Sequence, residues 1–256
     1  MGTFATPAAP ASSIRAVAAA RAALSRWLRL RQPTRRIRFA LALRELRRLG
    51  GRGEVAVLDV GCSEGLLSEY LAARHPDWQI DAIDNDPTVV AHAAALMTRA
   101  GATNVRVFQA DVTEPLGDQV YDAVVALETI HMIPDDDAAL ASLAAATKPG
   151  GVLLIHAPQR DWERVSRIGR TVWEGQARTG YTPAELAEKL ERAGFRDVSF
   201  RPTARSLARF GSELDDRLET GWVIYSWFPF SALIGWLDRH RLTWGPATSF
   251  MAVARR

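Results

Sequence analysis

The chain has 256 residues, 48% of them hydrophobic and 24% charged, enough apolar material for one sizeable core with appended helices and hence one catalytic-sized domain. Cys62 is its single cysteine, which excludes an intramolecular disulfide and makes a reducing cytosol the expected compartment. The net charge of +3 hides an asymmetry: residues 1–53 carry twelve arginines against one acid, Glu45, a local charge of +11.

Residues 1–11 are Ala/Pro-rich and read as a disordered start. Arg15, Arg21, Arg26 and Arg29 interrupt the stretch that follows, a pattern unlike a secretory signal. Helices are expected over 12–31 and 34–49, separated by Pro33, because Ile37, Leu41, Leu46 and Leu49 recur at helical spacing and Gly50-Gly51 ends the run. Residues 1–53 thus form an N-terminal helical arm. Its charge suits an anionic substrate, nucleic acid or a lipid surface, or else belongs to a solvated helical face.

From Val55 the pattern changes to short apolar runs alternating with helices. Strands are expected at 55–60, 78–84, 104–111, 121–128 and 151–157, with helices over 64–74, 87–100 and 135–146 between them. Near-continuous apolar strands alternating with helices predict a parallel sheet covered on both faces. Thr182, Pro183 and Glu185 predict a capping box opening a helix over 183–193, closed by Gly194. Two further strands, 196–202 and 247–254, bring the count to seven, with a helical insertion at 203–243 before the last. Residues 54–256 therefore form an α/β domain.

Residues 57–65 read Val-Leu-Asp-Val-Gly-Cys-Ser-Glu-Gly, a buried strand running into a small-residue turn that opens a helix. Such a turn brings backbone N–H groups and a helix N-terminus close to a ligand, and glycine admits the backbone without a side chain in the way. Gly61, Cys62 and Gly65 are the expected amide donors and Asp59 the expected acid. The next strand ends at Asp84, beside Asn85, where a carboxylate can accept from both hydroxyls of a ribose. The turn does not spell G-x-G-x-x-G, which argues against a dinucleotide.

The stretch from Asp59 to Gly65 resembles motif I of the class I, Rossmann-like methyltransferases that use S-adenosylmethionine (SAM), written D-x-G-x-G-x-G, with Ser63 where the middle glycine stands. The resemblance extends over residues 35–202. It implies a three-layer α/β/α fold of seven strands with the last antiparallel. It also implies SAM as cofactor, Asp111 with Val112 as the adenine-contacting step, and Leu127-Glu128 beside the methyl group. Lys148-Pro149-Gly150-Gly151 matches the turn before the fifth strand. Ser63 is counted with the cofactor contacts.

Methyl transfer from a sulfonium needs mainly a well-placed acceptor, and a base only if the acceptor must lose a proton. His131, three residues after Glu128, is the candidate base, since a histidine titrates near neutral pH. Some relatives carry E-x-x-E-H here to bind a divalent metal. In this chain the set is eroded, so no metal is expected, although His156 could join Glu128 and His131 in a two-histidine, one-carboxylate set. His156, Arg160, Asp161 and Tyr181 are candidate acceptor contacts. Residues 221–237 are uncharged and hold Trp222, Trp227 and Trp236. Pro229 breaks the run, which favours a pair of short helices forming an apolar, aromatic lid over a membrane span. Trp222 and Trp227 are the expected lid contacts.

The leading expectation is a cytosolic SAM-dependent methyltransferase acting on a small metabolite with apolar or aromatic surface, most readily on oxygen. One alternative places a lipid-linked or isoprenoid acceptor at an anionic membrane surface, met by the arm and the aromatic run. Another is a SAM-binding partner or scaffold without catalysis. No recognisable RNA-binding module supports nucleic acid as a partner.

Overall fold

The structure, a computed structural model, describes residues 33–50, 53–160, 175–205, 233, 236, 237, 240, 245 and 247–256. The expected helix at 12–31, Asp161, Trp222, Trp227 and nearly all of the insertion lie outside the described residues.

Helix α1 (Pro33–Leu46) tightens into a 3-10 turn, Arg47–Leu49, and precedes strand β1 (Ala56–Val60). There follow α2 (Leu66–Arg74), β2 (Gln79–Asp84), α3 (Pro87–Ala100), β3 (Val105–Gln109) and β4 (Tyr121–Leu127). A 3-10 turn, Ile130–Met132, leads to α4 (Asp136–Ala146) and β5 (Thr147–Pro158). The chain closes with α5 (Pro183–Arg192), β6 (Arg196–Thr203) and β7 (Ser249–Arg255).

The seven strands form one sheet in the order β3-β2-β1-β4-β5-β7-β6. β1 to β5 pair in parallel, and β7 runs antiparallel to both β5 and β6. β1 has β2 on one side and β4 on the other, so the strand order reverses there. Chain connections then leave β1 in opposite directions and open a crevice at the carboxyl ends of the strands.

Alternation within the strands sorts the core into two layers. Val57, Ala123, Val125, Val152 and Leu154 pack with Phe39, Ala42 and Leu46 of α1, Leu67 and Leu71 of α2, and Leu96 and Met97 of α3. Leu58, Val60, Val124, Ala126, Leu153 and Ile155 pack with Leu140 and Leu143 of α4 and Leu186 and Leu190 of α5. The result is the three-layer α/β/α arrangement. The second half of the expected arm is part of it, since α1 lies on the sheet and buries Ile37, Phe39, Ala42 and Leu46.

The expected capping box of α5 forms between Thr182 and Glu185, and Asp86, which was not foreseen, caps α3 by accepting from the Thr88 and Val89 amides. Several element ends differ from expectation by up to four residues, two of them for a visible reason. α2 begins at Leu66 because Gly65 adopts a left-handed φ of 73°. β5 begins at Thr147 rather than Gly151, because Thr147 pairs with Tyr121 ahead of an irregularity in the register. Among the described residues no helix is long and apolar enough to cross a membrane.

Leu154 sits in a central strand with no exposure. Leu154→Ala should lower unfolding free energy by about 2–5 kcal/mol, read from urea denaturation, and a loss under 1 kcal/mol would contradict the packing described.

Candidate active site

The turn after β1 is built from left-handed residues: Gly61 at φ 65°, Ser63 at 51° and Gly65 at 73°. Ser63 thus adopts the conformation that a glycine would adopt freely. Each glycine has its own neighbour. A Cβ on Gly61 would collide with the Thr129 side chain, whose hydroxyl donates to Val60 O at 3.0 Å. A Cβ on Gly65 would meet Met97 Cε at 2.9 Å and Ala93 Cβ at 3.2 Å, where α2 packs against α3.

Two of the three expected amide donors, Cys62 and Gly65, are engaged within the protein. Cys62 N–H donates to Ile83 O at 2.9 Å, and Gly65 N–H to Cys62 O at 2.9 Å. Ser63 N–H donates to Asp84 Oδ2 at 3.1 Å. Cys62 and Gly65 therefore do not present free amides to a ligand; their donors close the turn and tie it to β2.

A cavity of about 460 Å³ opens beside this turn at the carboxyl ends of β1, β2 and β4. Gly61, Ser63, Asp84, Asn85, Asp111 and Val112 line one end; Arg38, Leu127, Glu128, Thr129 and Met132 to Pro134 line the other. Asp84 also accepts from Asp86 N–H through Oδ1 at 3.2 Å, which fixes the carboxylate plane. Asp111 Oδ1 accepts from the Thr113 amide at 2.9 Å and its hydroxyl at 2.7 Å. Those two bonds hold the carboxyl below its ordinary range.

Asp59 stands behind the turn. It lines a narrow cleft of about 70 Å³ with Arg35, Arg38 and Cys62. Its Oδ2 accepts from Ser68 Oγ at 2.6 Å. Burial pushes its carboxyl up to about 6, against the hydrogen bonds from Ser68. Burial first, with Asp59 and Asp84 adding to it, pushes the Cys62 thiol up to about 12, so the thiol stays protonated and unreactive.

At the other end, Glu128 occupies the left-handed region at φ 62°. Its N–H donates to His156 O at 2.9 Å, and its Oε1 lies 2.6 Å from His156 Nδ1 and 3.7 Å from Arg38 Nη1. Oε2 lies 3.8 Å from His131 Nε2. Burial works to raise the Glu128 carboxyl, but His156, Arg38 and His131 outweigh it and hold the group well below the usual carboxylate range.

His131 is 3% exposed and is not part of the cavity wall. Its Nδ1 has no hydrogen-bond partner among the described residues. Burial lowers its imidazole below the ordinary range, with Glu128 opposing, so the ring is neutral at neutral pH. Glu128 faces the cavity and His131 lies behind it.

The remaining expected acceptor contacts lie elsewhere. His156 is 2% exposed and contacts Glu128 and Thr203. Tyr181 is fully buried; its hydroxyl donates to Asp136 Oδ2 at 2.7 Å and accepts from Arg178 Nη1 at 3.0 Å, a link inside the core. Arg160 pairs with Glu185 at 2.6 Å. Among the described residues no group of three or more His, Cys, Asp or Glu side chains stands where it could hold a metal ion. Sequence reasoning missed Arg38. The one available signal was its place beside Ile37 on the apolar stripe of α1, which turns the side chain toward the sheet.

Asp59 yields a pH dependence of stability. An unfolded aspartate titrates near 3.9 and the folded one near 6, so between these values the folded state keeps a proton that the unfolded state releases. Stability drawn from this group is complete below about pH 4 and is lost as pH rises through 6, by on the order of 3 kcal/mol. Relative to Asp59→Asn, the wild type should therefore weaken between pH 4 and 7. Urea midpoints of both proteins at the two pH values check it; a constant difference would refute the assignment.

Residues 57–151 match the methyltransferase domain family. The chain is 38% identical over 104 residues to an uncharacterized methyltransferase of Mycobacterium bovis, covering 40% of this chain and 50% of that one. It is 35% identical over 130 residues to a ubiquinone biosynthesis O-methyltransferase of Photorhabdus laumondii, covering 50% and 54%. The chain thus spans about half the length of these curated relatives. A SAM-dependent methyltransferase from Aquifex aeolicus shares the fold, with a TM-score of 0.56 at 22% identity over 90% of this chain and 96% of that one. The seven-stranded sheet with antiparallel β7 and the left-handed turn after β1 give the chain the class I, Rossmann-like methyltransferase fold, and residues 57–151 are similar to the methyltransferase domain family.

Proposed function

We propose that the chain is a cytosolic enzyme that transfers a methyl group from SAM to an oxygen of a small acceptor with apolar or aromatic surface. The observation that carries the reading is a single cavity with acids suited to a nucleoside at one end, Asp84 and Asp111, and an ionised carboxylate, Glu128, at the other.

The residues present fit the cofactor. Gly61 makes room for the Thr129 side chain, and both residues line the cavity. Asp84 spends one lone pair of each oxygen on Ser63 and Asp86, which leaves a second on each for the two ribose hydroxyls. Asp111 uses Oδ1 for Thr113, which leaves Oδ2 for the adenine amine. Asp59, buried at 3% exposure, suits a cationic ammonium that would compensate its desolvation. When bound, SAM supplies a methyl group on a sulfonium, an electrophile with a good leaving group.

The chain's own part is to hold the acceptor in line and to manage its proton. Glu128 is the group that meets the acceptor. His131, neutral and out of contact with the cavity, acts through Glu128.

Removing a charged hydrogen-bond partner costs about 1.5–3 kcal/mol, so Asp84→Ala should weaken SAM binding about tenfold or more in calorimetry. His131→Ala should leave SAM affinity intact and lower transfer of label from methyl-labelled SAM. Wild-type protein that fails to bind SAM at millimolar concentration would overturn the reading, and tight binding with no labelled product in broad extracts would favour a scaffold.

A second reading moves the acceptor to a lipid surface. It is supported by the relative named for ubiquinone biosynthesis and by the +11 charge of residues 1–53. On that reading the protein should co-sediment with vesicles containing anionic phospholipid and release them in high salt; indifference to such vesicles counts against it.

A further inference from the structure

We propose that His156 is the positioning residue of the transfer: its ring and its main-chain carbonyl together hold Glu128 as the carboxylate that receives an O–H or N–H of the acceptor. The inference rests on the methyltransferase reading above.

Glu128 is a non-glycine residue in the left-handed region, a conformation that persists only where its surroundings enforce it. His156 supplies that enforcement twice. Its carbonyl accepts the Glu128 N–H at 2.9 Å, and its Nδ1 stands 2.6 Å from Glu128 Oε1, at ion-pair distance though off the line of a hydrogen bond. The ring is fixed from its far side as well. Nε2 lies 2.8 Å from Thr203 Oγ1, which in turn lies 2.7 Å from Ser249 Oγ.

His156, Thr203 and Ser249 are all buried, at 2%, 4% and 7% exposure. A polar chain of this kind in the core is favourable only when its members satisfy one another. It has one open end, at Glu128, whose side chain is 29% exposed and lines the cavity.

Among the described residues, the charged and titratable groups around Glu128 are Arg38 from α1, His131 from the 3-10 turn and His156 from β5, with no acid among them. The acceptor therefore meets a fixed carboxylate. A hydroxyl, phenol or amine donates to it, whereas a carboxylate acceptor brings no proton at neutral pH and is repelled. As the acceptor atom gains the methyl group, its proton would leave to solvent, with the bonding pair staying on that atom and the carbon–sulfur pair on sulfur; Glu128, too weak a base to keep the proton, holds the O–H or N–H in line.

The test uses the full chain with three measurements: SAM titration by calorimetry, the imidazole 15N–1H spectrum without ligand, and label transfer from methyl-labelled SAM into a small-molecule cell extract. The His156 ring resonance is identified by its absence in His156→Gln. It should move in Glu128→Gln, which removes the charge beside Nδ1, and in Thr203→Val. Both His156→Gln and Thr203→Val should bind SAM within threefold of wild type, while label transfer falls at least tenfold in the first and fivefold in the second. Thr203→Val removes one hydroxyl and no bulk, so it decides the matter where His156→Gln fails to fold. A His156 resonance indifferent to Glu128→Gln, or wild-type label transfer by Thr203→Val, overturns the proposal. Wild-type protein that binds no SAM overturns the methyltransferase reading instead, and the ring resonance then decides by itself whether His156 holds Glu128.

Discussion

A carboxylate removed from water keeps its charge only where cations or hydrogen-bond donors replace the lost solvent. Glu128 meets that condition through two distant elements. Arg38 comes from the helix that lies across one face of the sheet and His156 from the neighbouring strand, while the neutral His131 packs beside it from the turn that follows. Neither Arg38 nor His156 is near Glu128 in sequence. The burial of Ile37, Phe39 and Leu46 on the sheet is therefore a condition of the electrostatics as well as of stability, since it sets the position of Arg38.

The two ends of the cavity are coupled by a close contact. Thr129, the residue after Glu128, rests in the space that Gly61 leaves open and donates to Val60 O at the end of β1. The nucleoside end and the acceptor end thus share a joint, and a side chain at position 61 would push them apart. The turn after β1 uses the Cys62, Ser63 and Gly65 amides to close itself and to tie β1 to β2. Recognition at this end then falls to carboxylates whose planes are already set, which reduces the ordering that ligand binding must impose.

Much of this was legible in the chain, for reasons that differ by element. β1, β4 and β5 read as near-continuous apolar runs because both faces of each are covered, and α5 announced itself through Thr182-Pro183 with Glu185. Asp84 and Asp111 could be found because the first ends a strand and the second follows one after a single residue, so local sequence sets their place. What could not be read depended on contacts across the chain. Arg38 resembles any other arginine of a basic segment until the helix is docked ninety residues away against Glu128. Tyr181 looked like an acceptor contact, but its partners Asp136 and Arg178 turn it into the core. The turn amides looked free because their acceptors, Ile83 O and Asp84 Oδ2, belong to the next strand.

The antiparallel strand gives the second half of the sheet a part in the site. β7 joins β5 to β6, and its register sets Ser249 opposite Thr203 on one side and Pro158 on the other. That places the Thr203 hydroxyl against the His156 ring, with the Ser249 hydroxyl behind it. The same point is the base of the insertion between β6 and β7. Thr248 donates to Ala204 O through both its amide and its hydroxyl at 2.8 Å, closing the two ends together. Thr203 and Ser249 stand next to this closure, which fixes the strand ends that carry them beside His156. Asp84 and Asp111 lie on the other side of β1. The sheet thereby separates what holds the nucleoside from what holds the acceptor carboxylate, and the second can vary while the first is kept.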